Sequence, residues 1–161
     1  IYNIQNIMNL ESLIKIELVN INEKIKGTNY LEKLKYNLIT KLDQNKFYNN
    51  YEKNEVHDFE KKINFNENKT EITISNLSLK NPIINLNQTL NKNTLLIPIY
   101  GILKIDLYDQ KNTNNSKKII IMPKMGICLP EKSLININFS KNSYIIKIES
   151  LEKDNDIEIT N

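Results

Sequence analysis

Apolar residues near the start of the chain recur at intervals of three and four, the spacing of one face of an α-helix. This spacing predicts a helix over about residues 6–26, and Gly27 follows where a helix would end in a left-handed residue. The apolar positions of the series are Ile7, Leu10, Ile14, Leu18, Ile21 and Ile25. Residues 14–18 also alternate between apolar and charged side chains, so a strand is the competing interpretation there.

Two further helices are predicted before the pattern changes. Asn29 and Glu32 have the N-cap and N3 spacing of a capping box, and an apolar stripe follows them on one helix face. The stripe consists of Tyr30, Leu31, Leu34, Leu38 and Leu42. A third helix, from about Lys46 to Lys62, has apolar residues only at uneven spacing. These residues are Phe47, Tyr51, Val56, Phe59 and Ile63.

From Thr70 onward, short apolar runs are separated by Asn, Pro, Gly and Ser, which is typical of a sandwich or barrel of short strands. We predict strands near residues 71–76, 82–87, 94–100, 102–108, 117–122, 127–129, 133–139, 143–149 and 156–160. Hairpin turns are expected at residues 110–116 and 140–143, both rich in turn formers. The expected fold class is mainly β, a double-sheet jelly roll over residues 70–160 that follows a helical N-terminal segment over residues 1–62.

Part of this β-rich half resembles a known superfamily. The run from Thr94 to Leu107, then Leu129-Pro130, residues 134–139 and residues 143–148, resembles the core of the cupins over residues 82–149. In that family a strand ends at a glycine and a later hairpin leads to a proline, and Gly101 and Pro130 occupy these places. The resemblance implies a double-stranded β-helix.

The cupin metal ligands have no counterparts in this chain. The family's His-x-His pair corresponds to Asn87 with Thr89, or to Gln88 with Leu90 in an alternative spacing. Its metal-binding acid corresponds to Thr94, and the histidine of its second motif corresponds to Ile135. The glycine that opens the second motif corresponds to Lys124, with Gly126 displaced by two residues. If the chain is a cupin, we therefore expect that it binds no metal and has no cofactor.

The last strands predict a filled interior. At period two, Ile135, Ile137 and Phe139 point to one side of their strand, and Asn136 and Asn138 point to the other. Burying three such apolar side chains contributes roughly 5–8 kcal/mol, so a solid core is the simple expectation.

Composition excludes several classes of protein. The chain has one histidine and one cysteine, so sites with clustered His or Cys ligands, such as zinc fingers and iron–sulfur centres, cannot form within it. Its 22 basic residues, all lysine, are nearly balanced by 19 acidic ones, which argues against a nucleic-acid partner. No apolar run is long enough for a transmembrane helix, so no membrane partner is expected, and the unpaired cysteine gives cytoplasmic as the default location.

Individual reactive residues are interpreted as structural. His57 has acidic neighbours but no nucleophile beside it, and Cys128 lies between apolar residues. Two clusters of carboxylate side chains could hold a hard cation, but an exposed acidic surface is the simpler interpretation. They are Asp106 with Asp109, and Asp154 with Asp156 and Glu158.

We expect a non-catalytic, metal-free cupin-like module that binds a small ligand or serves in assembly. Its expected ligand-binding residues are Asn87, Thr89, Thr94, Tyr100 and Tyr144, and no catalytic residue is assigned. One alternative is a metal-independent enzyme of the same fold acting on a carbohydrate or nucleotide sugar, which would require Tyr100, Lys104, Asp106 or Tyr144 to converge. Another is a fragment of an oxygenase-related or structural jelly-roll protein. A homodimer is expected, through strand edges or the first helix.

Overall fold

Two helices precede two antiparallel β-sheets in the computed structural model of this chain. The structure describes residues 2–21, 27–49, 59–65, 70–77, 83–109, 111–112, 114–139 and 143–150. The helical elements are α1 (Tyr2–Asn20), α2 (Gly27–Gln44) and a 3-10 turn (Phe47–Asn49). The strands are β1 (Phe59–Phe65), β2 (Thr70–Leu77), β3 (Ile83–Thr89), β4 (Asn93–Tyr100), β5 (Leu103–Tyr108), β6 (Ser116–Ile121), β7 (Ile127–Leu129), β8 (Leu134–Phe139) and β9 (Ser143–Ser150).

The first two predicted helices are confirmed, with different ends. α1 begins at Tyr2, and the strand considered for residues 14–18 is wrong because Leu10, Ile14 and Leu18 form one fully buried helical face. α2 begins at Gly27, so Asn29 lies inside the helix and is not its N-cap. Residues 22–26, where the predicted end of α1 falls, lie outside the described residues.

The third predicted helix is wrong at both of its ends, and residues 50–58 between them lie outside the described residues. Residues 47–49 form the 3-10 turn, and β1 occupies Phe59–Phe65, where all seven residues pair with β2. In this segment positions 59, 63 and 65 are apolar and positions 60, 62 and 64 are polar, so the pattern has period two except at Lys61. Two residues of the unevenly spaced apolar series, Phe59 and Ile63, thus belong to a strand.

The other predicted strands are confirmed as β2 to β9, with ends that agree to within two residues. The strand predicted at residues 156–160 lies outside the described residues. The predicted turn between β5 and β6 is closed by hydrogen bonds from the Asp109 N–H to the Asn115 carbonyl and from the Lys111 N–H to the Asp109 carboxylate.

The strand pairing is that of a jelly roll. β2 pairs with β9, β3 with β8, β4 with β7 and β5 with β6, so the strands form one long antiparallel ribbon that folds back on itself. The pairs β4 with β9 and β5 with β8 then divide the ribbon into two sheets, with strand orders β1-β2-β9-β4-β7 and β3-β8-β5-β6. The predicted fold class, mainly β with a helical N-terminal segment, is confirmed.

The molecule has three layers and two apolar cores. The helix–sheet core joins α1 and α2 to one face of the five-stranded sheet, where Leu95, Ile97 and Ile146 are buried against the helices. The roll interior, between the sheets, is a second apolar cluster that includes Leu96 and Ile145. Both faces of β4 are covered, which explains why residues 93–99 are all buried.

Two positions of the cupin pattern have the backbone that the pattern implies. Gly101, between β4 and β5, has φ 89°, and Lys124, which stands at the second motif's opening glycine, has φ 72°. Both values lie in the left-handed region that glycine adopts most readily. The Lys124 ammonium lies 3.4 Å from the Asp43 carboxylate.

Candidate functional site

The described side chains of the roll interior are aliphatic and come from both sheets. Its buried members are Leu96, Leu103, Ile105, Ile121, Leu129, Ile135 and Ile145. Partly buried Leu90, Leu107, Ile119, Ile127 and Ile137 pack against them. The period-two prediction is confirmed for Ile135 and Ile137, while the Phe139 side chain lies outside the described residues.

The residues at the cupin ligand positions do not fit a metal ion. Ile135 is fully buried, and the backbone of Gln88 pairs with it across β3 and β8. Leu90 packs against the interior cluster, and Thr89 is exposed. Thr94 is buried, and its hydroxyl donates to the Lys92 carbonyl at 2.9 Å.

These side chains cannot supply the nitrogen, carboxylate or thiolate ligands that a transition metal requires. In the part of the chain that the structure describes, no group of three His, Cys, Asp or Glu side chains is placed to hold an ion. The residues at the cupin ligand positions therefore support no metal-dependent step.

Two charged residues interrupt the interior-facing side of β9. Ile145 belongs to the roll interior, so Lys147 and Glu149, two and four residues later, are on the same side of the strand. Lys147 pairs with Leu96, and Glu149 pairs with Thr94. The Lys147 ammonium lies 3.6 Å from the Glu149 carboxylate, with side chains 41% and 20% exposed. The interior side thus changes from apolar to charged along β9.

The expected ligand-binding residues are not brought together as one site. Tyr100 and Tyr144 pair across β4 and β9, but they pack in or against the helix–sheet core, on the other side of the sheet from the roll interior. Thr94 belongs to the interior side, whereas Thr89 is exposed. The Asn87 side chain lies outside the described residues.

The side of the four-stranded sheet that faces away from the roll interior carries a cluster of polar residues, which we call the outer polar face. It consists of Lys104, Asp106 and Tyr108 on β5, and Asn136 and Asn138 on β8. Lys104 pairs with Asn138 and Asp106 pairs with Asn136, so cross-strand neighbours form a compact grid. The Asn136 amide nitrogen donates to the Tyr108 hydroxyl at 3.0 Å. The side-chain oxygens of Asn136 and Asn138 are buried without a hydrogen-bond partner.

The sequence pattern did not identify the outer polar face as a site. The alternation in residues 134–139 correctly placed both asparagines opposite the apolar residues. Burial of their side-chain oxygens is a property of the packed sheet, which the local pattern does not describe.

The other reactive residues remain apart. Cys128 packs against the helix–sheet core, where burial, followed by the negative charge of Glu32, raises the pKa of its thiol to about 12. Asp106 is on the outer polar face, whereas Asp109 holds the turn after β5. His57 and the acidic residues Asp154, Asp156 and Glu158 lie outside the described residues. Among the described helices, none is long and apolar enough to cross a membrane.

Comparison with known proteins shows similarity only at the level of solved structures. No family model and no curated protein matches the chain. A cupin superfamily protein from Desulfitobacterium hafniense is 11% identical, with a TM-score of 0.47 over 60% of this chain and 79% of that one. A putative mannose-6-phosphate isomerase from Ralstonia eutropha is 6% identical, with a TM-score of 0.45 over 58% and 84%.

A third similar structure is hydroxypropylphosphonic acid epoxidase from S. wedmorenis, solved in complex with fosfomycin. It is 12% identical, with a TM-score of 0.38 over 52% of this chain, which spans 44% of the epoxidase. The superfamily that the sequence resembles is thus represented among the structures similar to this one.

Proposed function

We propose that this chain is a non-catalytic, metal-free cupin-like module that binds a small ligand or serves in assembly. The observation that supports the metal-free, non-catalytic part of this proposal most strongly is the roll interior, where the described side chains from both sheets are aliphatic. Catalytic and metal sites need convergent polar groups, and these side chains offer none. The charged pair at Lys147 and Glu149 is the polar part of the interior side that a ligand could reach.

The enzymatic alternative requires residues that the fold separates. A metal-independent enzyme acting on a carbohydrate or nucleotide sugar would need acid, base and positioning groups in one cleft. Lys104 and Asp106 are on the outer polar face, while Tyr144 is buried in the helix–sheet core beyond the other sheet. This separation favours the non-catalytic proposal. That the chain is part of an oxygenase-related or structural jelly-roll protein remains a further alternative.

The proposed assembly is a homodimer. α1 exposes Ile16 (58%) and Val19 (63%), which an isolated domain would leave in water. β6 and β7 end their sheets, so each is an edge strand with backbone groups available for pairing. We propose cytoplasmic location and no nucleic-acid partner on the grounds of composition. We propose residues 1–62 and 70–160 as two parts of the chain that differ in sequence pattern. They are not proposed as independent folding units, because α2 and β4 are buried in the same core.

The enzymatic alternative can be tested directly. The full chain is incubated with a panel of neutral sugars and nucleotide sugars, and substrate and product are followed by NMR. We expect binding of a panel member or no interaction, in each case without conversion. Stoichiometric conversion that scales with protein concentration, and that Lys104→Ala or Asp106→Ala abolishes, would contradict the non-catalytic proposal.

A further inference from the structure

β6 is an edge strand whose outward side is open in the part of the chain that the structure describes. All six of its residues pair with β5 without a register shift, so the strand is regular from Ser116 to Ile121. It stands last in the sheet order β3-β8-β5-β6, and no other described strand pairs with it. The outward backbone side of this strand, the β6 edge, therefore presents N–H and carbonyl groups to which a further strand can bind.

The three other edge strands of the two described sheets carry features that oppose such pairing. β7 has only three residues, and β3 has a register shift between residues 84 and 88. β1 has a run of charged residues, 60–62, near its centre. Short strands, bulges and charges are the usual protection of a sheet edge against pairing. β6 has only the charges of Lys117 and Lys118, so its second half, residues 119–121, lacks all three kinds of protection.

Exposed apolar side chains lie at this same end of β6. Ile120 is 55% exposed, and Met122 and Met125, in the turn that follows the strand, are 50% and 43% exposed. The Met125 N–H donates to the Met122 carbonyl at 3.0 Å, which closes the turn directly after the strand. Clustered apolar side chains in water are typical of a contact surface. The open backbone edge and the exposed apolar side chains thus coincide.

The order of charged and apolar residues along β6 indicates that the partner is a second copy of this chain. Its two lysines occupy the first half of the strand, and its isoleucines occupy the second half. When two copies pair antiparallel about a two-fold axis at Ile120, the apolar halves overlap and the lysines lie at opposite ends. Ile120 then faces Ile120 of the partner subunit, and Ile119 faces the partner's Ile121. Lys118 faces the partner's Met122, so no ammonium group faces another.

Other pairings are less favourable for this strand. An axis at Lys118 places two ammonium groups directly opposite each other, and an axis at Ile119 places Lys118 opposite the partner's Ile120. An acidic partner strand would pair with the lysine half and leave the apolar half uncovered. A two-fold contact between identical strands also closes at two copies, so pairing does not continue into a fibre.

We propose that two copies of this chain pair through β6, antiparallel and centred on Ile120, and so join their four-stranded sheets into one continuous sheet. The isoleucines of the two strands contact each other across the two-fold axis, and Met122 extends the apolar contact at each end. The inference rests on the homodimer of the proposed function and assigns its contact to one strand and one register. The exposed residues of α1 are not part of this contact.

Sedimentation equilibrium of the full chain tests which surface forms the dimer. The native chain should sediment as a dimer at micromolar concentration. Ile120→Lys places two ammonium groups opposite each other at the axis, so it should weaken association about a hundredfold. Ile16→Lys on α1 is the matched control, because Ile16 is 58% exposed and Ile120 is 55% exposed. It should leave association unchanged, and both variants should keep the circular dichroism spectrum of the native chain.

Cysteine cross-linking tests the register. In a Cys128→Ser background, Ile120→Cys should form a disulfide between subunits in oxidised glutathione, because opposite residues of paired strands have Cα atoms roughly 4.5–5.5 Å apart. Lys118→Cys, on the same side of the same strand, should not form one. In this register the two substituted positions are offset by four residues, about 14 Å along the strands. Equal cross-linking of the two variants, or cross-linking of Lys118→Cys alone, would overturn the register.

The outcomes distinguish this inference from the function on which it rests. A native chain that is monomeric would overturn the β6 contact and the homodimer together, and it would leave the metal-free, ligand-binding proposal standing. A dimer that Ile16→Lys abolishes and Ile120→Lys does not would overturn the β6 contact and keep the homodimer.

Hydrogen exchange shows whether another part of the same chain covers the β6 edge. In the monomeric Ile120→Lys variant, the amides of residues 119–121 that do not bond to β5 should exchange quickly. In the native dimer the same amides should exchange slowly, because they donate to the partner strand. Slow exchange of these amides in the monomer would mean that the edge is already covered, and it would overturn the proposal.

Discussion

Cys128 shows how its surroundings determine what a reactive residue can do. It packs against the helix–sheet core, and burial together with Glu32 raises the pKa of its thiol from 9.0 to about 12. At neutral pH the group is a protonated thiol, which is a poor nucleophile. The sequence predicted a small apolar role for this residue from its neighbours Ile127 and Leu129, and its packing agrees with that prediction.

The raised pKa of Cys128 predicts a loss of stability at alkaline pH. A pKa that is higher in the folded state leaves stability intact below pH 9 and removes it as pH rises toward 12. Burial also raises the pKa of Tyr48 from 10.0 to about 12, so this residue contributes in the same direction above pH 10. In urea denaturation across this range, Cys128→Ser should lose less stability with rising pH than the native chain. Parallel curves for the two proteins would contradict this prediction.

At the scale of secondary-structure elements, the reliable signal was the short apolar run bounded by turn-forming residues. The strands β2 to β9 were predicted because their apolar runs are short and separated by turn-forming residues. β1 was missed because its apolar residues also fit a loose helical spacing, and only its pairing with β2 decides between the two. The candidate site was less predictable, since Tyr144 and Thr94 belong to adjacent strands but to opposite sides of one sheet.

Two neighbouring isoleucines of β6 test which side of this sheet faces the roll interior. Ile121 is 3% exposed, whereas Ile120 is 55% exposed. Ile121→Ala should lower the free energy of unfolding by about 2–4 kcal/mol, because it leaves a cavity in the interior cluster. Ile120→Ala should change it by less than about 1 kcal/mol. Urea denaturation measures both, and equal losses from the same substitution would show that the assigned faces are wrong.

Across the whole molecule, the helices and the roll are held by a shared core. Leu31 and Leu34 of α2 are buried in the same cluster as Ile97 of β4, so their burial depends on the sheet as well as on the neighbouring helix. Gly126 allows this close approach, because a Cβ there would lie 3.0 Å from the Lys35 side chain and 3.2 Å from that of Ile97. The helical layer is therefore part of the domain that contains the five-stranded sheet.

The proposed homodimer is tested with exposed residues, since deleting α1 would uncover the shared core. We expect the intact chain to sediment as a dimer at micromolar concentration. If α1 forms the contact, the double substitution of Ile16 and Val19 by lysine should give a folded monomer. If the β6 edge forms it, Ile120→Lys should do so instead. An intact chain that is monomeric at equilibrium would contradict the proposal.

Metal content tests the central claim most directly, because the apolar roll interior and the residues at the cupin ligand positions both predict that the chain holds no metal. The full chain is incubated with ferrous, manganous and zinc ions in turn, dialysed, and measured by plasma mass spectrometry. We predict far less than one ion per chain for every metal, since Leu90 and Ile135 carry no ligand atom and the Thr94 hydroxyl donates to the Lys92 carbonyl. One tightly held ion per chain, lost in a Glu149→Gln variant, would contradict the metal-free interior.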